Sequence, residues 1–238
     1  MKKLINSALL LFVMIISSCG TYVYKSVSPK TNLFEKRNDF AGQLNIGGGG
    51  AEAYAAYAPI NYLGGSLSLA GATTSSDSTN SNTARKFRDF EVSLIPFYPY
   101  QVARFECPIG LGFTKTKSPN NSFAAFSPYT RAFIQPTVGF HWTYFEMAVF
   151  MRYSKVAYTN IKWGTDTRFE PGLMFRGGSE NIKGMLQLRL DYGTNYSQTP
   201  AAALLPDQQV LYIPLHISIG VNFNINFSKE KKATSDVK

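Results

Sequence analysis

Leu215-His216-Ile217-Ser218-Ile219-Gly220-Val221-Asn222-Phe223-Asn224-Ile225-Asn226-Phe227 is the stretch that decides the fold. Its odd positions are Leu, Ile, Ile, Val, Phe, Ile and Phe, and its even positions are His, Ser, Gly and three Asn. A strand, with a side-chain period of two, sends these sets to opposite faces, whereas the 3.6-residue period of a helix would scatter both. The pattern recurs upstream. Leu186, Leu188, Leu190 and Tyr192 oppose Gln187, Arg189 and Asp191; Met147, Val149, Met151 and Tyr153 oppose Glu146 and Arg152. Phe105, Ile109, Leu111 and Phe113 oppose Arg104, Glu106 and Gly110, while Ala132, Ile134, Val138 and Phe140 oppose Arg131, Gln135, Thr137 and His141. Phe169, Leu173 and Phe175 oppose Arg168, Glu170 and Arg176. Weaker alternation runs through residues 40–47, 51–58, 62–72 and 87–98, which makes about ten strands, with eight as the competing count.

Composition agrees. Of 238 residues only 16% are charged, below the ~25% of ordinary soluble domains, and 14% are aromatic. This argues against a disordered chain and a helical bundle. Beyond the first twenty residues no run approaches the ~18 apolar residues of a spanning helix. Connections alternate between short ones (59–61, 99–101, 142–144, 178–183) and long polar ones (73–84, 115–128, 155–164, 195–208). Short turns at one rim and long loops at the other are the plan of a membrane barrel. Lys is nearly absent from the strand interiors, and Tyr and Trp gather near strand ends, where amphipathic rings sit at a bilayer boundary. The expected fold is all-β, an antiparallel up-and-down transmembrane β-barrel over residues 40–227. A soluble barrel with its apolar face inward is the competing arrangement.

Over residues 40–227 the chain resembles the small bacterial outer-membrane β-barrel proteins. That resemblance implies outer-membrane lipids and the barrel-assembly machinery as partners, with Phe227, after Gly220, Val221, Phe223 and Ile225, as the carboxy-terminal aromatic assembly signal. A charged tail, expected to be disordered, follows at 228–238. At the other end, Lys2 and Lys3, an apolar stretch from Leu9 to Ile16, and Ile16-Ser17-Ser18-Cys19 resemble a lipoprotein signal with its lipobox. This implies a signal peptide at 1–18, acylation of Cys19 and, since Gly20 rather than Asp follows, delivery to the outer membrane. Residues 19–39 are expected to be a periplasmic linker, with both termini periplasmic. Two or more acyl chains anchor stably where one is marginal. The formal net charge of +9 falls by two when Lys2 and Lys3 leave, and the remaining cations are scattered, so no nucleic-acid partner is expected.

With polar faces inward, Arg104, Glu106, Arg131, Glu146, Arg152, Arg168, Glu170, Arg176, Arg189 and Asp191 share one lumen and must pair, because an unpaired buried charge is costly. The excess of Arg over acid makes a narrow polar channel or an anion-binding barrel the second reading. His216-Ile217-Ser218 resembles the His-x-Ser of outer-membrane lipid A deacylases, yet Leu215 and Ile217 claim the apolar face and turn His216 and Ser218 inward. No catalytic residue is assigned. His141 is the one other histidine, and no cofactor or metal site is expected. Cys107 falls in an apolar register, and Gly48-Gly49-Gly50 reads as a turn. The expected role is structural or envelope-interactive, with the long loops meeting an envelope or extracellular partner. A lipid-modifying enzyme and a lipocalin-like periplasmic lipoprotein are further alternatives.

Overall fold

The computed structural model describes residues 27–47, 50–74, 85–117, 128–159, 165–193 and 215–227. They form a closed barrel of ten antiparallel strands. In chain order these are β1 (Asp39–Gly47), β2 (Gly50–Ile60), β3 (Leu63–Thr74), β4 (Arg85–Tyr100), β5 (Ala103–Glu106 and Ile109–Lys117), β6 (Tyr129–Ile134 and Thr137–His141), β7 (Phe145–Tyr158), β8 (Thr165–Gly178), β9 (Ile182–Leu190 and Tyr192–Gly193) and β10 (Leu215–Asn226). Each strand pairs with the next, and β10 returns to β1 with Asp39 opposite Asn226 and Ile46 opposite Ile219. Closure leaves no edge strand to template aggregation.

β5 and β6 are interrupted at Pro108 and Pro136, which offer no N–H to a ladder. Their register is continuous nonetheless. Phe97 faces Glu106 and Leu94 faces Ile109, and the interval is bridged by Cys107 N–H donating to Pro96 O at 2.9 Å. Among the described residues the one register shift is a bulge between Tyr57 and Ile60, so β2 and β3 keep a single face assignment from Ala51 to Tyr57.

The β2–β3, β4–β5, β6–β7 and β8–β9 links are two or three residues long and share one rim. Tyr62 and Gln101 there adopt left-handed φ values of 71° and 51°, as tight turns demand. At the opposite rim two residues join β1 to β2, and connections of 10, 11, 6 and 21 residues join the remaining pairs. Most of those long connections lie outside the described residues, as do Cys19, the signal segment and the tail at 228–238.

The apolar face points out. Leu44, Leu69, Val92, Leu94, Leu111, Val149 and Ile219 are exposed, while the polar Gln43, Asn45, Ser68, Glu91, Ser93 and Ser218, next to five of them along the strands, are buried. Aromatic rings border this band. Near the short-turn rim Tyr62 stacks on Tyr98, and Trp142 lies between Phe140 and Phe145. Toward the other rim stand Phe90 stacked on Phe113, with exposed Tyr153, Phe169 and Tyr192. Eight residues separate Phe90 from Tyr98, about 20 Å of height at ~3.3 Å per residue and a ~40° tilt. A lipocalin-like barrel would carry the apolar face of its strands inward; the described strands carry theirs outward.

The linker expectation is corrected too. Residues 27–34, expected within a linker at 19–39, are buried inside the barrel. Ser28, Lys30, Thr31 and Asn32 are polar because the wall around them is polar, and this composition resembles a solvated linker when read alone.

Candidate functional site: a peptide held in the lumen

Buried backbone N–H and C=O groups need partners, and a lone extended segment has no ladder to supply them. The wall supplies them instead. The strap, residues 27–38, begins with Val27 packed on Ala70 and Phe87, near the ends of β3 and β4 that carry long connections. Arg189 Nη1 donates to Val27 O at 2.7 Å, Gln187 Nε2 to Pro29 O at 2.7 Å and Gln135 Nε2 to Lys30 O at 2.8 Å. Thr31 O accepts from Gln43 Nε2 at 2.8 Å and from Arg176 Nη2. Ser28 donates from its backbone N and its Oγ to Glu52 Oε1, and Lys30 Nζ pairs with Glu52 Oε2.

Lower down the strap turns sharply. Leu33 takes a left-handed φ of 59°, which aims the N–H groups of Asn32 and Phe34 at the Glu106 carboxylate, both at 2.9 Å. Converging N–H groups of this kind form an anion-binding concavity, here filled by the protein's own side chain. The Leu33 side chain lies against Gly139, where any Cβ would collide with it. Phe34 packs among Ala41, Tyr54, Ala56, Ala58, Ile95 and Phe97, with its ring centroid 5.4 Å from that of Phe97. Glu35 then meets Arg104 at 2.6 Å at the short-turn rim, and the chain enters β1.

Around the strap the wall charges pair. Arg131 bridges Asp89 and Glu91 at 2.7 Å each, and Arg152 meets Glu91 at 3.1 Å with its guanidinium 4.3 Å above the Phe133 ring. Glu146 gathers Lys183 at 2.7 Å, His141 at 2.8 Å and Arg176 at 3.1 Å. Arg168 contacts Asp166 at 2.7 Å and Asp191 at 3.4 Å. All ten charged residues expected in the lumen are buried, Glu170 among them. Lys30 and Lys183 join the six arginines, and Glu52, Asp89, Glu91 and Asp166 join the four acids, so among the described residues eight buried cations face eight buried anions. The apparent surplus of Arg, which motivated an anion site, vanishes once these six are counted.

Those six were missed for identifiable reasons. Asp89 and Glu91 share the inner face of β4 with Phe87, Ile95 and Phe97, which blurs the alternation. The apolar members of that face are explained by the strap, since Phe34 packs on Ile95 and Phe97, and Val27 on Phe87. Glu52 stands among alanines in β2, and Lys30 belongs to the strap. Asp166 and Lys183 lie near the first residues of β8 and β9, where a face is hard to assign.

The remaining candidates fall as follows. His216 and Ser218 point inward, with His216 Nε2 3.9 Å from Asp191 Oδ2, while Ser218 Oγ donates to Gln187 Oε1 at 3.2 Å. Cys107 is a free thiol at the β5 interruption, half-buried. Phe227 is exposed at the end of β10, its ring between those of Phe40 and Tyr57. No protein-family model matches the sequence, and no curated protein matches it either.

Proposed function

We propose that the protein is an outer-membrane β-barrel, anchored additionally by acyl groups on Cys19, whose lumen is closed and whose role is structural or envelope-interactive rather than catalytic. The observation that carries this reading is the pairing of an apolar exterior, bordered by aromatic rings, with an interior occupied by the strap and a balanced set of charges. Bilayer lipid is the natural solvent for such an exterior. A filled interior favours a plug over a conduit, and the long connections remain as the surface through which a partner is met. Phe227 is exposed where the assembly machinery could read it.

The test is the mobility in SDS of envelope-extracted protein, heated against unheated. A closed membrane barrel keeps its ring of hydrogen bonds until boiled, so a heat-dependent shift is expected. Absence of a shift, together with release of the Cys19→Ala protein into detergent-free buffer, would overturn the reading. The channel alternative predicts conductance of the intact protein in a planar bilayer; the filled lumen predicts none.

A further inference from the structure

We infer that the chain upstream of Val27 leaves the barrel at the rim of the long connections, so that Cys19 and the acyl groups proposed for it lie on that face, opposite the short turns. The inference deepens the membrane reading above and rests on it for the identity of the lipid leaflet. The position of the strap does not depend on that reading.

The contacts of the strap order it along the barrel axis. Val27 lies with Ala70, Phe87 and Arg189, all close to strand ends that carry long connections. Thr31 is held midway by Gln43 and Arg176. Phe34 and Glu35 lie with Ala58, Phe97, Arg104 and His141, all at strand ends that carry short turns. The strap therefore descends the lumen and β1 climbs back beside it, antiparallel.

Covalent reach settles the rest. Cys19 precedes Val27 by eight residues, which fully extended span at most about 28 Å. A return through the lumen is blocked by the strap itself and by the buried charges packed on it. A return outside must clear the rim, cross the wall and descend beside strands such as β7, whose 14 residues rise about 33 Å at a ~40° tilt. Eight residues cannot do this. An acyl group on Cys19 thus enters the leaflet on the long-connection side. If the long connections face outward, as in other membrane barrels, the anchor sits in the outer leaflet and the periplasmic placement expected for the amino terminus is reversed.

The test exchanges residues 21–26, from Thr21 onward, for a hexahistidine epitope that keeps the length from Cys19 to Val27 and, in a second strain, places the same epitope within residues 75–84, and compares antibody labelling of intact and permeabilised cells. Equal behaviour of the two epitopes, both labelled in intact cells, is the expected result. Labelling of the 75–84 epitope in intact cells, with the Thr21 epitope reached only after permeabilisation, would overturn the inference and leave the membrane-barrel reading standing. A second measurement is independent of the membrane. In purified Cys107→Ser protein, Val27→Cys paired with Ala70→Cys should be joined by a short bismaleimide, and Val27→Cys paired with Ala58→Cys should not. The reverse pattern, in protein that still shows the heat shift, would overturn the threading. Loss of the heat shift in otherwise unmodified protein would instead strike the membrane reading.

Discussion

Lys30 of the strap and Glu52 of β2 form an ion pair whose two side chains are 3% and 0% exposed, and the same carboxylate accepts two hydrogen bonds from Ser28. One acid thus holds three groups of the amino-terminal segment inside the barrel. Removing one partner of such a pair leaves a buried charge without compensation and costs about 3–5 kcal/mol. Glu52→Gln should lower the heat-modification midpoint markedly. A Lys30→Met, Glu52→Met double variant, which leaves no orphan charge, should recover most of that loss. A double variant as weak as the single one would show that the pair is not coupled.

Glu106 offers a finer test, because its acceptors take two backbone N–H groups. Hydrogen bonds to a charged group contribute roughly 1.5–3 kcal/mol each; Glu106→Gln keeps the shape but leaves one acceptor oxygen and turns an NH2 donor toward the other N–H, so one of the two bonds is lost and the other weakened. The strap around Leu33 should then become cleavable by protease in detergent-folded protein while the barrel keeps its heat shift.

Gly139 is required by the strap rather than by the strand. Its missing side chain makes room for Leu33, whereas the nearest atom to a Cβ at Gly177 is 4.0 Å away. Gly139→Val should destabilise by roughly 1–3 kcal/mol through overpacking, and Gly177→Ala should stay within about 0.5 kcal/mol of wild type. Urea titration in a common detergent checks both.

Excising residues 27–34 should turn a silent barrel into a conducting one in a planar bilayer. The excision also removes Lys30, leaving, among the described residues, seven buried cations against eight anions on the wall. Reversal potentials under a salt gradient should therefore show weak cation preference, the opposite of what an arginine-rich lumen would suggest. Anion selectivity would mean that the wall charges rearrange once the strap is gone.

Leu94 separates a membrane exterior from a solvated one. It is 62% exposed and lies between the two aromatic borders. Facing lipid near mid-height, Leu94→Lys should cost about 2–4 kcal/mol, whereas on a water-facing surface it would be close to neutral. Unfolding in phospholipid vesicles distinguishes the two.

The ten strands and their faces were legible because alternation is a local property, and β10 displays it over its whole length. Pro108 and Pro136 did not obscure the count, since each interrupts hydrogen bonding without shifting register. The strap was illegible for a physical reason. Ser28-Pro29-Lys30-Thr31-Asn32 has no period, and its partners, Gln43, Glu52, Gln135, Arg176 and Gln187, are scattered over five strands. Only the folded lumen makes them neighbours. The inward Ile95 and Phe97 were the one local hint, two apolar residues on a polar face awaiting Phe34.

The closure of β10 on β1 also sets an order of events. A lumen packed around the strap has no room to admit a chain afterwards, and no bulky group attached upstream of Val27 could be drawn through it. The strap must be laid in place while the seam between β1 and β10 is still open, and the sheet then curls shut around it. Once closed, the molecule is tied to its own leading end: the first segment of the barrel region to emerge during synthesis becomes the mandrel on which the rest is wound.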